Sequence, residues 1–369
     1  MDPSVLRASA PSARRLQRRT ATRHPSSTPT ARAAPAAPPA RGPAPAAAAA
    51  AGAGAPARPP LVVVGSVNAD LVLAVDRVPT PGETLGAASM AFFPGGKGAN
   101  QAAAAARLGY PTYFIGEACA TGTDAYAAPL RDALAGCGVR LDYLGATEGP
   151  SGTAVILLQP SGENSIIIVG GANQDARSWA LPPPALDLLR SAGAVLLQRE
   201  VPEDVNIAVA KAARGAGVPV ILDAGGVDAP VPDDLLSQVS ILSPNETELG
   251  RLTRLPTGSD GDVEAAARSL MARGVGQVLV KLGGEGSMHL PGPGAPALRQ
   301  AAVPAPKVVD TTGAGDCFTA AFAVALLEGL EPQAALRFAS AAASICVGRA
   351  GAMPSLPSVE EVQELLDSL

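Results

Sequence analysis

Leu61-Val62-Val63-Val64-Gly65-Ser66-Val67-Asn68-Ala69-Asp70 is the stretch from which the fold can be read. Its first four residues are a continuous apolar run, the pattern of a strand covered on both faces. The turn at Gly65 then delivers an amide, Asn68, and a carboxylate, Asp70, just past the end of that strand. Similar runs recur at 110–115, 194–198, 218–223, 239–242 and 277–282. Between them lie Ala-rich stretches that predict helices over 99–108, 124–136, 203–216, 262–273, 314–328 and 332–347. Strands alternating with helices predict the α/β class, with parallel strands joined by right-handed crossovers. Segments 70–91 and 152–169 read differently, as strand-like runs with no helix between, and suit a small antiparallel sheet or lid. No internal repeat interrupts the pattern.

The length of 369 residues allows two domains or one large α/β domain. Hydrophobic residues make up 47% but aromatics only 3%, so the positive mean hydropathy of +0.21 comes largely from Ala, Val and Leu. No run of about 18 strongly apolar residues exists, which argues against a membrane span. Cys119, Cys137, Cys317 and Cys346 show no CxxC spacing, so they read as reduced thiols and not as a disulfide framework or a zinc site. With only His24 and His289, Ser-His-Asp, Cys-His and multi-histidine metal chemistry are nearly excluded.

Residues 1–60 stand apart, with nine arginines, no lysine and a single acid, Asp2, among many Ser, Thr, Ala and Pro. Such a segment cannot pack a core and is expected to be disordered. An Arg-rich, Ser-rich, acid-poor leader without an apolar h-region is the composition of an organellar transit peptide, plastid favoured over mitochondrion. Taking its nine basic and one acidic residues from the totals of 28 and 33 leaves 19 and 32, a body charge of about −13. That field repels nucleic acid and anionic membrane, so neither is an expected partner and a small-molecule substrate is.

The two common nucleotide fingerprints fail. In Pro94-Gly95-Gly96-Lys97-Gly98-Ala99-Asn100, Gly98 stands where a Walker A loop needs Ser or Thr. Gly65–Asp70 lacks the further glycines of a dinucleotide turn. What the chain does offer is Asn68 and Asp70 for vicinal hydroxyls, or else an ordinary Asx turn. Glycines at 95, 96 and 98 let backbone approach a ligand, with Lys97 and Asn100 as donors, or else form a flexible turn with a solvated lysine ahead of a helix starting at Gln101. The most informative segment is Val308-Val309-Asp310-Thr311-Thr312-Gly313-Ala314-Gly315-Asp316-Cys317-Phe318. A Gly-Ala-Gly turn opening an Ala-rich helix aims unpaired amides and the positive dipole end outward, an anion site fit for a transferring phosphoryl group. Asp316 within it is placed to take a proton from an attacking hydroxyl. Ser243-Pro244-Asn245-Glu246-Thr247-Glu248 reads either as phosphate and Mg²⁺ ligands or as a capped helix start. Lys281-Leu282-Gly283-Gly284-Glu285-Gly286 is either a hairpin turn or a nucleotide-cradling loop.

Taken in order, these motifs resemble the carbohydrate kinases of the PfkB family over essentially all of residues 61–369. Val67-Asn68-Ala69-Asp70 with Gly95-Gly96-Lys97-Gly98-Ala99-Asn100-Gln101-Ala102 is similar, within the family, to the members that phosphorylate free ribose. The resemblance implies a three-layer αβα sandwich with a mostly parallel central sheet plus a small β-sheet lid. It implies ATP-dependent phosphorylation of D-ribose at O5, with Mg²⁺ and an activating K⁺. Asn68, Asp70, Gly96, Lys97, Gly98, Ala99, Asn100 and Glu200 would bind the sugar, and Asp316 would be both sugar contact and catalytic base. The run from Lys281 through Leu282, Gly283, Gly284 and Glu285 to Gly286, with Asn245, Gly315 and Ser340, would hold ATP; Gly313, Ala314 and Gly315 would form the anion hole. Glu248 would hold Mg²⁺ through water. The monovalent-cation loop would fall at Asp310, Thr312, Cys346, Arg349, Gly351 and Ser355, mostly through backbone oxygens. Lids at 70–91 and 152–169 would pair two chains into a homodimer. Two departures stand out: Asp223-Ala224-Gly225-Gly226 replaces the Asn-Pro-Ala of bacterial relatives, and Ser340 replaces a bulkier residue. Rival expectations are a family kinase for fructose or adenosine, and a non-catalytic organellar assembly partner.

Overall fold

The apolar run Leu61–Val64 (β1) is fully buried, with Leu61 and Val63 in one hydrophobic core and Val62 and Val64 in another. A strand that feeds alternate side chains into two cores must have a helical layer on each face. The computed structural model describes residues 58–119, 124–161, 163–175, 179 and 181–369. The leader predicted at 1–60 therefore lies, but for its last three residues, outside the described residues. Pro56–Leu369 form one compact unit.

After β1 the chain makes Asn68–Ala74 (β2) and Ser89–Gly95 (β3), then the helix Lys97–Arg107 (α1). Thr112–Cys119 (β4), Ala127–Gly136 (α2) and Arg140–Thr147 (β5) follow, and then a second hairpin, Gly152–Leu158 (β6) and Asn164–Val169 (β7). A regular α/β alternation resumes with Pro183–Ser191 (α3), Ala194–Arg199 (β8), Glu203–Gly215 (α4), Val220–Gly226 (β9), Asp233–Leu236 (α5) and Ile241–Ser243 (β10). Glu246–Thr253 (α6), Asp260–Met271 (α7) and Gln277–Lys281 (β11) lead to the hairpin Ser287–Leu290 (β12) and Leu298–Gln300 (β13). Ala314–Leu327 (α8), Pro332–Val347 (α9) and Val359–Asp367 (α10) end the chain.

The large sheet has nine strands in the order β13-β12-β11-β10-β9-β8-β1-β4-β5, parallel except for β12 and β13. Side chains of α1, α2, α8, α9 and α10 form the core on one face, and those of α3 to α7 the core on the other. The result is the expected three-layer αβα sandwich. Ala102 to Ala105 are fully buried where α1 packs on α8, and such small side chains let two helices approach closely. Several helix starts are legible: Ser259 caps α7, and Ser358 with Glu361 forms a capping box on α10. Among the described residues no helix is long and apolar enough to cross a membrane, and Cys137, Cys317 and Cys346 are free thiols.

The small sheet, ordered β3-β2-β6-β7, corrects one expectation. Its hairpins β2–β3 and β6–β7 are antiparallel, but β2 and β6 pair in parallel, so the sheet is mixed. The parallel pair is possible because α1, β4, α2 and β5 intervene as a long crossover. The sheet also starts earlier than predicted, at Asn68, so the site residues Asn68 and Asp70 lie on β2 itself.

Candidate active site

In the large sheet the chain moves from β1 outward through β4 to β5, and later from β8 the opposite way to β11. The reversal lies between β1 and β8, and open α/β sheets bind ligands beyond the strand C-termini at such a point. Asn68 follows β1, Glu200 follows β8, Asp223 lies midway along β9 where its pairing with β10 ends, Asn245 follows β10 and Lys281 ends β11. Short strands with chemistry-bearing residues at one end thus bring together side chains more than 200 positions apart.

Asp316 sits in the first turn of α8 and is 5% exposed. Its Oδ2 accepts a hydrogen bond from Asn100 Nδ2 at 2.9 Å, its Oδ1 accepts one from Gln101 Nε2 at 3.3 Å, and Lys97 Nζ is 4.0 Å from Oδ1. Burial raises the carboxyl above its ordinary range; Lys97 and the Asn100 bond oppose this, while Asp223 and Glu200 add to it. The same ring of acids, Asp316 foremost, holds Lys97 firmly charged. Gly225 leaves the space in which the Lys97 ammonium rests, since a Cβ there would lie 2.8 Å from Nζ.

Gly313 caps α8 with φ 77°, a left-handed conformation that favours glycine, and an added Cβ would meet Ala352 at 2.9 Å. One anion-hole amide expected to be free is engaged, since Ala314 N–H donates to Thr311 O at 3.2 Å. Among the described residues the Gly313 and Gly315 amides have no partner, and neither has that of Asp316, so two of the three expected donors are free and a further one lies beside them.

The glycine-rich segment is also helical earlier than expected. Gly95 ends β3, Gly96 is the N-cap with φ 91°, and Lys97 to Asn100 already form the first turn of α1. A Cβ on Gly95 would overlap the Asp70 carboxylate, so the missing side chain makes room for that acid. Asp70 is 8% exposed, and its carboxylate accepts no hydrogen bond from any described residue. Burial first, then the charges of Glu200 and Asp316, raise its carboxyl to about 7. Asn68 Oδ1 accepts from Asn173 Nδ2 at 2.8 Å, and Glu200 Oε2 accepts from Ser66 Oγ at 2.5 Å and from Lys97 N at 3.0 Å. Asn100 Oδ1 is buried without a partner. A nearly buried carboxylate and a buried amide oxygen, both short of donors, are the complement of a polyhydroxylated ligand.

The 243–248 segment is the capped helix start, and the cap leaves polar atoms over. Asn245 Oδ1 accepts from Glu248 N and Glu248 Oε2 accepts from Asn245 N, each at 2.8 Å, which is a capping box on α6. Asn245 Nδ2 and Glu248 Oε1 are left without partners among the described residues, and these fit phosphate and a hydrated Mg²⁺ respectively. The 281–286 segment is a hairpin turn between antiparallel β11 and β12. Leu282 buries its side chain and closes the turn through Leu282 N–H to Gly286 O, so it offers little to a ligand; Gly283, Gly284 and Glu285 are exposed. Ser340, on α9, donates weakly to Ala301 O at 3.5 Å.

The segments expected to form a monovalent-cation loop are tied together through Asp310, whose carboxylate accepts from Thr312 N at 2.9 Å and from Gly351 N at 2.8 Å. Burial pushes that carboxyl up, but these bonds more than offset it and leave it below the ordinary range. Cys346 Sγ and Ser355 Oγ are 2.9 Å apart, while the Arg349 guanidinium pairs with Glu361. The segment follows the C-terminus of α9, whose dipole favours a cation. Among the described residues no group of His, Cys, Asp and Glu side chains is gathered as metal ligands.

Gln101, Asp223 and Asn173 were not anticipated as site residues. Gln198 Nε2 donates to Gln101 Oε1 at 2.7 Å, which turns the Gln101 amide nitrogen toward Asp316. Asn173 bonds Val67 N and O at 3.0 Å each, pinning the β1–β2 turn. Gln101 directly follows the glycine-rich motif, which is its local signal; Asn173 carries none.

The family model described as pfkB family carbohydrate kinase matches residues 59–359. The chain is 52% identical to a ribokinase of Arabidopsis thaliana over 311 residues, 84% of this chain and 81% of that protein. It is 39% identical to a Bacillus subtilis ribokinase over 83% of this chain and 99% of the relative. The solved structure of the Arabidopsis ribokinase complexed with ribose and ATP superposes with a TM-score of 0.78 at 52% identity, covering 84% of this chain and 98% of that one. With that family model matched over most of the chain and ribokinases 52% and 39% identical along it, the chain belongs to the pfkB family of carbohydrate kinases.

Proposed function

We propose that this protein is a kinase that transfers the γ-phosphoryl group of ATP to O5 of D-ribose, giving D-ribose 5-phosphate and ADP. The observation that carries the reading is the Asp316 carboxylate, buried beside unpaired α8 amides and facing Lys97. Asp70, Asn68, Asn100 and Glu200 hold the sugar hydroxyls. Asp316 takes the proton of the attacking hydroxyl as the new O–P bond forms and the bond to the bridging oxygen of ADP breaks. A carboxyl raised by burial is a stronger proton acceptor than an exposed one, and Lys97 opposite it favours the charged form that accepts the proton. The Gly315 and Asp316 amides receive the charge that develops on the phosphoryl oxygens.

Glu248 would hold Mg²⁺ through water and Asn245 would donate to a phosphate of ATP; the ion would supply neutralisation of the phosphate charge. The 310–312 and 346–355 segments would hold K⁺ through backbone oxygens. Because the cation would settle the loop that buttresses Gly313 through Ala352, it would raise turnover without touching either substrate.

The edge strand β7 exposes four consecutive apolar residues, Ile166, Ile167, Ile168 and Val169, each more than half exposed. An apolar open edge is a pairing template, and we assign it to a homodimer formed through the small sheets. The composition of residues 1–60 directs the chain to the plastid stroma, which a fluorescent fusion of that leader reads directly, mitochondrial signal overturning it.

The test is ATP turnover by the purified protein against ribose, fructose and adenosine, with and without K⁺. Turnover confined to ribose and raised by K⁺ is the expected result. Preference for either other substrate would reassign the sugar site, and no turnover in folded protein would overturn the reading.

A further inference from the structure

Asp223 is buried midway along β9, where the pairing with β10 ends, yet no step above uses it. Its Oδ2 accepts from Lys281 Nζ at 2.6 Å and from Thr319 Oγ1 at 3.2 Å, and its Oδ1 accepts from Gly225 N at 2.9 Å. Ser243 Oγ, 3.0 Å from Thr319 Oγ1, completes the network. Burial raises the Asp223 carboxyl, but the Lys281 and Lys97 charges and these bonds bring it below its ordinary range, so the pair is ionic. Buried ion pairs are poor sources of stability, because desolvating two charges offsets most of their attraction. A role in the chemistry accounts better for one placed here.

Lys281 lies against the start of α8. An added Cβ on Gly315 would meet Lys281 Cδ at 3.7 Å and Nζ at 3.9 Å, so the ammonium stands beside the unpaired Gly315 amide. Asp316, Asp223, Glu200 and Glu248 make the surroundings acidic, which would repel a polyphosphate. Of the two nearby lysines, Lys97 faces Asp316, and Lys281 keeps a donor beyond those it gives to Asp223 and, at 3.5 Å, to Thr319.

We propose that Lys281 is a catalytic residue that bonds the phosphoryl group in flight between ATP and the sugar, and that Asp223 is the positioning residue that holds it there. The inference rests on the sugar-kinase reading and adds a charged donor to its anion site. Lys281 neither gains nor loses a proton; it strengthens its bond as charge spreads over the phosphoryl oxygens, so its effect falls on the transition state.

The test compares the wild-type protein with Lys281→Met, Asp223→Asn and the double variant. Lys281→Met should lower kcat by about 10²–10³-fold, leave ADP affinity within about threefold, and weaken ADP–aluminium fluoride, a mimic of the phosphoryl group in flight, by about 10²-fold. Asp223→Asn should lower kcat about tenfold and the melting temperature with it, since it strands a buried ammonium. The double variant removes both charges and should regain thermal stability while kcat stays at the Lys281→Met level. Recovery of kcat together with stability would make the pair merely structural and overturn the proposal. So would Lys281→Met turning over, or binding the aluminium fluoride complex, within about threefold of wild type. A failure of the sugar-kinase reading shows instead in the wild-type protein, which would then phosphorylate no sugar.

Discussion

Two carboxylates about the same cleft are served in opposite ways. Asp316, on the large-sheet side, receives two amide donors and faces a lysine; the Asp70 carboxylate, on the small sheet, receives no hydrogen bond from any described residue. The difference follows from the elements that carry them. Asp316 stands where two Ala-rich helices meet, so side chains from the first turn of α1 reach it with fixed geometry. Asp70 stands on a four-stranded sheet whose edge is apolar and exposed, with Phe93 and Ala154 as its cross-strand neighbours and the missing side chain of Gly95 making room for its carboxylate. On the proposed reading, the end that transfers the phosphoryl group has its carboxylate held by the fold, whereas the sugar end leaves the Asp70 carboxylate for the ligand to pair.

The largest effect that would break this comparison is at Asp316. General-base assistance is worth about 10²–10⁴-fold, so Asp316→Asn should lose at least that much in kcat, measured by ribose-dependent ADP release. Unchanged kcat would remove Asp316 from the mechanism.

Asp70→Asn sharpens the other side. With its carboxyl raised from the ordinary range to about 7, Asp70 is protonated in the folded chain at pH values where the unfolded chain has already ionised. The folded state therefore loses stability as pH rises from about 4 to about 7, and the loss is constant above that window. Asp70→Asn should accordingly melt higher than wild type at pH 8, with the difference vanishing near pH 4, in ribose-free protein followed by thermal unfolding. A variant that melts lower at pH 8 would mean that Asp70 is already paired.

The smallest effect on catalysis is expected at the sheet edge. Ile167→Glu places a charge in the exposed run of β7 and should shift the protein from dimer to monomer in analytical ultracentrifugation, with kcat changed by less than about twofold. A wild-type protein that is already monomeric would remove the edge-pairing assignment.

Much of this was legible in the sequence for a physical reason. Continuous apolar runs such as Leu61–Val64 announce a sheet buried on both faces, and Gly313 before Asp316 announces a helix start with free amides. What could not be read was set by long-range pairing. The parallel union of β2 with β6 depends on where a crossover returns, and nothing local in 152–169 encodes it. The Asp223–Lys281 pair joins strands 58 residues apart, so the departure at Asp223 was visible while its partner was not. The start of α1 at Lys97 was missed because glycines look like loop, although here they let the helix begin hard against the β1–β2 turn.

The contrast between the two ends is tested most directly by ribose affinity, measured calorimetrically on Asp316→Asn and Asp70→Asn side by side. Asp316→Asn should bind ribose within about threefold of wild type. Asp70→Asn should bind it about 10–100-fold more weakly, the value of hydrogen bonds to a charged group. Equal affinities in the two variants, or a larger loss in Asp316→Asn, would contradict the account.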